Sequence, residues 1–410
     1  MGPYTTLLAA LLALLFGLAA GKAWERYKLA DGRIVDRRRG RESPHYLLGL
    51  DFLVSNQVDL AIDELSKAAA LHGDALEVHV MLGNLYREKG QVGRAIGIHQ
   101  ALLQRPNLRK LEQAHVLLCL GLDFKRGGFV DRALEAFNEV LRLDPKNPHA
   151  LANLEKLHAD QHQWLEAYNI RRSLASSAVQ ADKGRHEAIL AFLENELGLK
   201  ALKEANHAEA AARFQAAIDL DSRVVPAYLN LGDVYLAQNK VTDAISLWER
   251  AVDVVPERAY LAFDRLETAY AELNGSARFG QLCRRLIEAN PQDWRARLAL
   301  SRHLAVRGES EAALALLFDA LAYNPHALSL HQAIWQVLSQ LNFTRPRVER
   351  YMELTRHAVF YRDPHVCLRC RYRTDELLWQ CPHCHEWNTL VEERIAPAKD
   401  EDELQNLRFS

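Results

Sequence analysis

The sequence predicts an all-α protein: a solenoid of stacked helical hairpins, with one membrane-spanning helix at the N-terminus and a small metal-binding module near the C-terminus. Three observations predict it. A glycine is followed twelve residues later by an alanine five times along the chain. The first 21 residues carry no charged side chain. Four of the six cysteines fall within 18 residues, far from the other two.

The bulk numbers frame this reading. A chain of 410 residues exceeds one small core and implies two or three domains. Twenty glycines and 13 prolines are too few for a collagenous or low-complexity chain. The formal net charge of -2 argues against a nucleic-acid binder, so any basic surface is local.

At the N-terminus, Leu7 to Ala20 is almost entirely Leu and Ala. Twenty-one helical residues reach about 31 Å, enough to cross the hydrocarbon core of a bilayer. The positive charge follows the apolar run instead of preceding it: Lys22, Arg26, Lys28, Arg33, Arg37, Arg38, Arg39 and Arg41. By the positive-inside rule the body lies on the cytoplasmic side, and Trp24 and Tyr27 suit the interfacial aromatic belt. The alternative is a secretory signal cut near Ala20, which would normally open on Lys or Arg. The expected division is a transmembrane helix over 1–24 and a basic juxtamembrane linker over 25–43, able to contact anionic headgroups.

The repeats come next. The glycine–alanine pairs are Gly49/Ala61, Gly83/Ala95, Gly121/Ala133, Gly198/Ala210 and Gly232/Ala244. Gly49 to Gly83 and Gly198 to Gly232 are both steps of 34 residues; Gly83 to Gly121 is 38. Glu155 holds the glycine place before Ala167, and Pro145 and Pro256 each fall 24 residues after their repeat's glycine. Each repeat reads as two antiparallel helices whose small residues face each other and let the backbones approach. Leu82, Leu85, Tyr86, Ile96 and Leu102 show the three-to-four spacing of amphipathic helices. One such pair cannot bury its apolar face alone, so neighbours stack. The pattern resembles the tetratricopeptide repeat over 44–325, in about eight units. Such solenoids offer a groove to protein segments, and His79, His99 and Arg87 on repeat faces read as solvated or packing residues. Residues 326–362 are expected to be linking helices.

The segment 363–395 is expected to be a metal module. Cys367-Leu-Arg-Cys370 is followed after ten residues by Cys381-Pro-His-Cys384. Each CxxC knuckle aims two sulfurs at one point, and an insert with Tyr372, Leu377, Leu378 and Trp379 is expected to form strands that bring the knuckles together. Four thiolates close a tetrahedral site at ~2.3 Å, which leaves no open position for catalysis. One iron or zinc ion suits the set, since ligand type does not separate them. His365, His383 and His385 are nearby substitutes. Cys119 and Cys283 sit alone in apolar stretches, as reduced thiols do. Residues 396–410 turn polar and acidic, from Asp400 to Glu403, and read as a frayed tail.

Local strings carry a family resemblance. They are Gly49-Leu-Asp-Phe-Leu-Val-Ser-Asn-Gln57, Leu82-Gly-Asn-Leu-Tyr-Arg87 with Gly90 and Arg94-Ala95-Ile96, and Leu378-Trp379-Gln380-Cys381-Pro-His-Cys384 with Trp387. With the order of parts, they resemble the lipopolysaccharide assembly protein B family of Gram-negative inner membranes, over nearly the whole chain. The resemblance implies a rubredoxin-like or zinc-ribbon module packed on the repeats, with Cys367, Cys370, Cys381 and Cys384 as metal ligands. It implies a non-enzymatic adaptor that helps the membrane protease FtsH degrade the deacetylase committing lipid A synthesis, and that contacts other lipopolysaccharide assembly proteins. A homo-oligomer is a further option. The sequence departs from the rubredoxin-type pattern where glycine commonly follows the second knuckle cysteine: Arg371 and His385 stand there. Two other classes use parts of the same pattern. An iron-bearing electron carrier on a repeat scaffold would use the same four thiolates. An enzyme would need a nucleotide loop, nucleophile motif or carboxylate pair, and the chain offers none in a recognisable setting.

Overall fold

The computed structural model describes residues 22, 43–106, 108–177, 182–273, 275–341, 344–355 and 364–393. Apart from Lys22, the expected span over 1–24 lies outside the described residues, as do the linker up to residue 42 and the tail over 396–410. Among the described residues no helix is long and apolar enough to cross a membrane.

The described residues form antiparallel helix pairs followed by one small sheet. The pairs are α1 (Pro44–Val54) with α2 (Val58–Leu71), α3 (Leu76–Glu88) with α4 (Val92–Leu103), and α5 (Lys110–Arg126) with α6 (Val130–Leu143). Then come α7 (Pro148–Asp160) and α8 (Trp164–Ser177), α9 (Lys183–Lys203) and α10 (His207–Leu220), and α11 (Val225–Ala237) and α12 (Val241–Val254). A 3-10 turn over Pro256–Ala262 leads into α13 (Phe263–Glu272) and α14 (Ser276–Ala289). The last pairs are α15 (Trp294–Val306) with α16 (Ser310–Tyr323) and α17 (Leu328–Gln340) with α18 (Arg345–Thr355). The chain divides into two compact units, one ending at Leu157 and one beginning at His158, inside α7.

The glycines meet large side chains, not the alanines. A Cβ added at Gly49 would lie 2.7 Å from Leu65 Cγ, at Gly83 2.6 Å from His99 Cε1, at Gly121 2.6 Å from Phe137 Cε1, and at Gly198 2.5 Å from Phe214 Cε1. In each of these repeats, and at Gly232 with Trp248, the neighbour stands sixteen residues after the glycine. The expected face-to-face pairing with the alanine twelve residues on is therefore corrected: the glycine is the hole into which the second helix's largest side chain inserts. The alanines, Ala61, Ala95, Ala133, Ala210 and Ala244, are fully buried in their own right.

A second periodic feature sits seven residues after the glycine places 49, 83, 121, 155, 198 and 232, and again seven residues after Ser301. Asn56, Gly90, Gly128, His162, Ala205, Asn239 and Gly308 all have positive φ, between 57° and 80°. Each ends the first helix of its pair, and the next N–H reaches back five residues, as in Gln57 N–H to Phe52 O (2.8 Å), Lys240 N–H to Tyr235 O (2.9 Å) and Glu309 N–H to Leu304 O (2.9 Å). This is the Schellman closure, which satisfies carbonyls left open by the helix end.

Polar ties link successive repeats. In the first unit Arg87 Nη1 donates to Asp123 at 2.9 Å, and the fully buried His99 places Nδ1 on the same carboxylate. His79 Nδ1 lies 2.9 Å from the Ala75 carbonyl. His79, His99 and Arg87 are thus packing residues here. In the second unit Arg265 clasps Asp233 through two bonds of 2.8 and 2.9 Å, and Asn230 donates to Asn195 at 2.9 Å.

The segment expected to link the solenoid to the metal module is itself a hairpin: Leu330, Ile334 and Leu338 of α17 and Leu354 of α18 share the core of α15 and α16. Cys119 and Cys283 are buried free thiols, and burial pushes them up to about 11 and about 12 respectively. Both stay protonated and unreactive at neutral pH.

Candidate metal centre

The module begins with β1 (His365–Cys367), which pairs antiparallel with both β2 (Arg373–Thr374) and β3 (Leu390–Glu392) in the order β2-β1-β3. The insert between the knuckles supplies only β2. Leu377, Leu378 and Trp379 leave the sheet, against expectation, and Gln380 instead bridges Trp387.

Each knuckle is a tight turn of the same design. Arg371 N–H closes on the Cys367 carbonyl at 2.9 Å, and His385 N–H on the Cys381 carbonyl at 2.8 Å. The closing residues, Arg371 and His385, have φ of 62° and 58°. They adopt the left-handed conformation that glycine takes more cheaply, so the departure from the glycine pattern leaves the knuckle backbone intact. Cys367 faces the N–H groups of Arg369 and Cys370, and Cys381 those of His383 and Cys384.

These turns gather the four sulfurs. All four Sγ atoms lie within 4.8 Å of one another, with Cys367 to Cys384 and Cys370 to Cys381 both at 3.6 Å. Disulfides need about 2.05 Å, whereas sulfurs at the corners of a tetrahedron of ~2.3 Å radius lie about 3.8 Å apart. The set fits one tetrahedral ion. Its electrostatics are graded. Burial raises the Cys367 thiol, but the Thr389 hydroxyl at 3.2 Å and the two knuckle N–H groups outweigh it and bring the group down to about 6. Burial, reinforced by the neighbouring thiols, pushes Cys384 up to about 12. Two of the three nearby histidines are engaged elsewhere: His385 pairs with Asp160, and His383 stacks on Tyr372 at 6.3 Å.

The three residues after the second knuckle fasten the module to the second unit. His385 reaches Asp160 at the end of α7. Glu386 bonds Arg185 of α9 at 3.0 Å and also pairs with Arg369 inside the module. Trp387, 9% exposed, stacks on Phe192 of α9 at 5.5 Å and 16°, with Trp164 against it at 6.2 Å. The Trp379 ring lies 5.9 Å from that of Phe192, and the Arg258 guanidinium sits 4.8 Å from the Trp379 ring centre. Sequence reading missed this joint. Its only sequence signal is the run of His, Glu and Trp beside a cysteine, and nothing local pairs it with positions some 195 residues away.

Comparison with known proteins places these features. A family model described as a rubredoxin metal binding domain, of the lipopolysaccharide assembly protein B zinc-ribbon type, matches residues 365–392. A tetratricopeptide repeat model matches 46–107, 195–274 and 281–327. Lipopolysaccharide assembly protein B of Escherichia coli (strain K12) is 26% identical over 93% of this chain and 97% of its own length. The Haemophilus influenzae protein of the same name is 26% identical with the same coverage. The solved C-terminal part of a tetratricopeptide repeat protein from Cytophaga hutchinsonii covers 70% of this chain and 99% of its own, at 12% identity and a TM-score of 0.42. The chain is thus an all-α tetratricopeptide solenoid with a C-terminal four-cysteine zinc-ribbon, similar over nearly its whole length to lipopolysaccharide assembly protein B.

Proposed function

We propose that this protein is a membrane-anchored, non-enzymatic adaptor in lipopolysaccharide assembly, whose metal module holds one ion on Cys367, Cys370, Cys381 and Cys384 and braces a protein-docking surface on the repeats. The observation that carries the reading is the joint itself. A closed four-sulfur cluster is coupled through His385, Glu386 and Trp387 to repeat helices, in a chain whose near-full-length relatives are named for lipopolysaccharide assembly. When bound, the ion supplies folding free energy to the module. The docking surface serves membrane partners, with the protease FtsH and the lipid A deacetylase as the first to test, and residues 1–24 hold it at the inner membrane with the body in the cytoplasm. The electron-carrier alternative is not favoured, since the relatives matched over nearly the whole chain are named for assembly.

The test compares proteins that co-purify with the full chain from membranes, with and without Cys367→Ser/Cys370→Ser. Wild type should carry one metal ion per chain and bring down the protease and the deacetylase. The double variant should lose the metal and those partners. Unchanged metal content would refute the ligand assignment, and an unchanged partner set would refute the bracing role.

A further inference from the structure

The four sulfurs of the metal centre are not equally supplied with hydrogen bonds. Cys367 and Cys381 are fully buried, whereas Cys370 and Cys384 are half-exposed and within reach of water. The two buried sulfurs hold the same place in their knuckles, and each faces two knuckle N–H groups. Cys367 has a third donor beside it: the Thr389 hydroxyl, with Oγ1 3.2 Å from Sγ. No side-chain hydroxyl stands at Cys381 among the described residues. The likeness of the two knuckles is broken at this donor.

The fold fixes the hydroxyl there. Cys367 in β1 lies opposite Leu390 in β3, which brings the preceding residue, Thr389, to the edge of the cluster. Leu368 N–H donates to the Thr389 carbonyl at 2.9 Å and ties that backbone to the first knuckle. Asn388, left-handed at a φ of 54°, separates Thr389 from Trp387, and across this reversal Trp387 lies on α9 while Thr389 lies on the sulfur.

A hydroxyl has one proton, and two acceptors stand near it. The Glu386 carbonyl is 3.4 Å from Oγ1, beyond the usual O–H···O range of about 2.5–3.0 Å, and it already accepts Cys381 N–H at 2.9 Å. Sulfur is the larger atom, so 3.2 Å to Sγ is the closer approach. A ligating sulfur is a thiolate with no proton to give, so the hydroxyl is the donor. Bonds to a charged acceptor are the strong ones, and this acceptor is withdrawn from water. Resting on the assignment of the four cysteines as ligands, we propose that Thr389 is a positioning residue of the metal centre: its O–H donates to Cys367 Sγ, holds that sulfur in its ligating orientation and strengthens retention of the ion. Removing a partner that orients a metal ligand typically costs about 10–100-fold in affinity. One hydroxyl on sulfur, a weak acceptor, belongs at the lower end, about tenfold.

The test loads the purified full chain with cobalt(II), whose sulfur-to-metal charge-transfer absorbance reports on the thiolates directly. Thr389→Val nearly keeps the side chain's shape and removes the hydroxyl; Thr389→Ser keeps the hydroxyl and removes the methyl. Thr389→Ala stands in if the valine variant folds poorly. Chelator competition should show about tenfold weaker cobalt binding without the hydroxyl. The charge-transfer band should also move to longer wavelength, because a sulfur that loses a donor gives up electron density more easily. Thr389→Ser should match wild type in both readouts. Wild-type affinity with an unmoved band in the variants lacking the hydroxyl would overturn the proposal, as would a serine variant as impaired as they are, since the methyl would then be the cause. A wild-type chain with no thiolate charge-transfer band would overturn the ligand assignment itself, and the proposal with it.

Discussion

Replacing Gly232 with Ala isolates the hole-and-plug packing of the repeats. In α11, a Cβ at this position would come within 2.7 and 2.8 Å of Trp248 Cε2 and Cδ1, and closer still to Nε1. Trp248 cannot yield easily: it is fully buried, and its Nε1–H donates to the Leu229 carbonyl at 3.2 Å. Overpacking a filled core costs about 1–3 kcal/mol. Displacing the indole from its carbonyl adds about 0.5–1.5 kcal/mol. Against this stands the helix preference of Ala over Gly, about 1 kcal/mol. The balance is a net loss of about 1–3 kcal/mol in α11 and α12. Gly97→Ala is the internal control. Gly97 also lies inside a helix, α4, but nothing stands within 4 Å of its added Cβ. It should gain up to about 1 kcal/mol from the same helix preference. A repeat array need not unfold as one unit, so the readout is local: hydrogen exchange resolved to peptides over α3–α4 and α11–α12. Gly232→Ala should speed exchange around α11 and α12, and Gly97→Ala should slow it around α4. If the two substitutions moved exchange in the same direction, the packing argument would be wrong.

Arg371→Gly should stabilise the metal module by up to about 1 kcal/mol, because a non-glycine residue pays that much for φ near 62°; slower metal release to a competing chelator is the measurement, and faster release would contradict it. His331 in α17 gives a pH dependence. Its Nε2–H donates to the Pro325 carbonyl at 2.8 Å, Nδ1 accepts from Tyr351 O–H at 2.9 Å, and burial holds the imidazole below its usual 6.5. Such a group contributes full stability above the unfolded value of about 6.5 and loses it as pH falls through the lower folded value. Exchange in α17 and α18 should therefore quicken on acidification, and His331→Asn should flatten that dependence; an identical pH response in the variant would remove His331 as the cause.

How much of this was legible in the sequence depended on whether one residue alone answered to the geometry. The glycine place showed because only the absence of a Cβ admits Leu65, His99, Phe137, Phe214 or Trp248. Its partner did not show, because any bulky side chain fills the hole. The turn position seven residues on was hidden for the same reason: Gly90, Gly128 and Gly308 share it with Asn56, Asn239, His162 and Ala205, which all pay to be left-handed. The four thiols were plain, since CxxC spacing dictates the turn that aims two sulfurs together. The knuckle closure was not, because Arg371 and His385 disguise a left-handed site. The joint between module and repeats had no local pattern at all: Asp160, Arg185 and Phe192 precede their partners by some 200 residues, and only the fold brings them together.

That joint makes metal and repeats thermodynamically one system. A module of about 30 residues is too small for a self-sufficient core, so it draws stability from the ion and from the Phe192–Trp387 stack. Truncating a buried Trp costs about 3–5 kcal/mol. If the docked state is the one that holds metal, Trp387→Ala must weaken metal retention, although Trp387 touches no sulfur. Linkage then requires the converse: removing the metal must loosen α9 around Phe192 by the same free energy. The experiment measures both sides of that cycle. Chelator competition gives the change in metal affinity caused by Trp387→Ala, and hydrogen exchange over α9 gives the change caused by chelation in wild type. Equal shifts within error mean that the module clamps the repeats only while it holds its ion. A large loss of metal affinity with α9 exchange untouched by chelation would break the cycle, and with it the argument that the four thiols act on the docking surface.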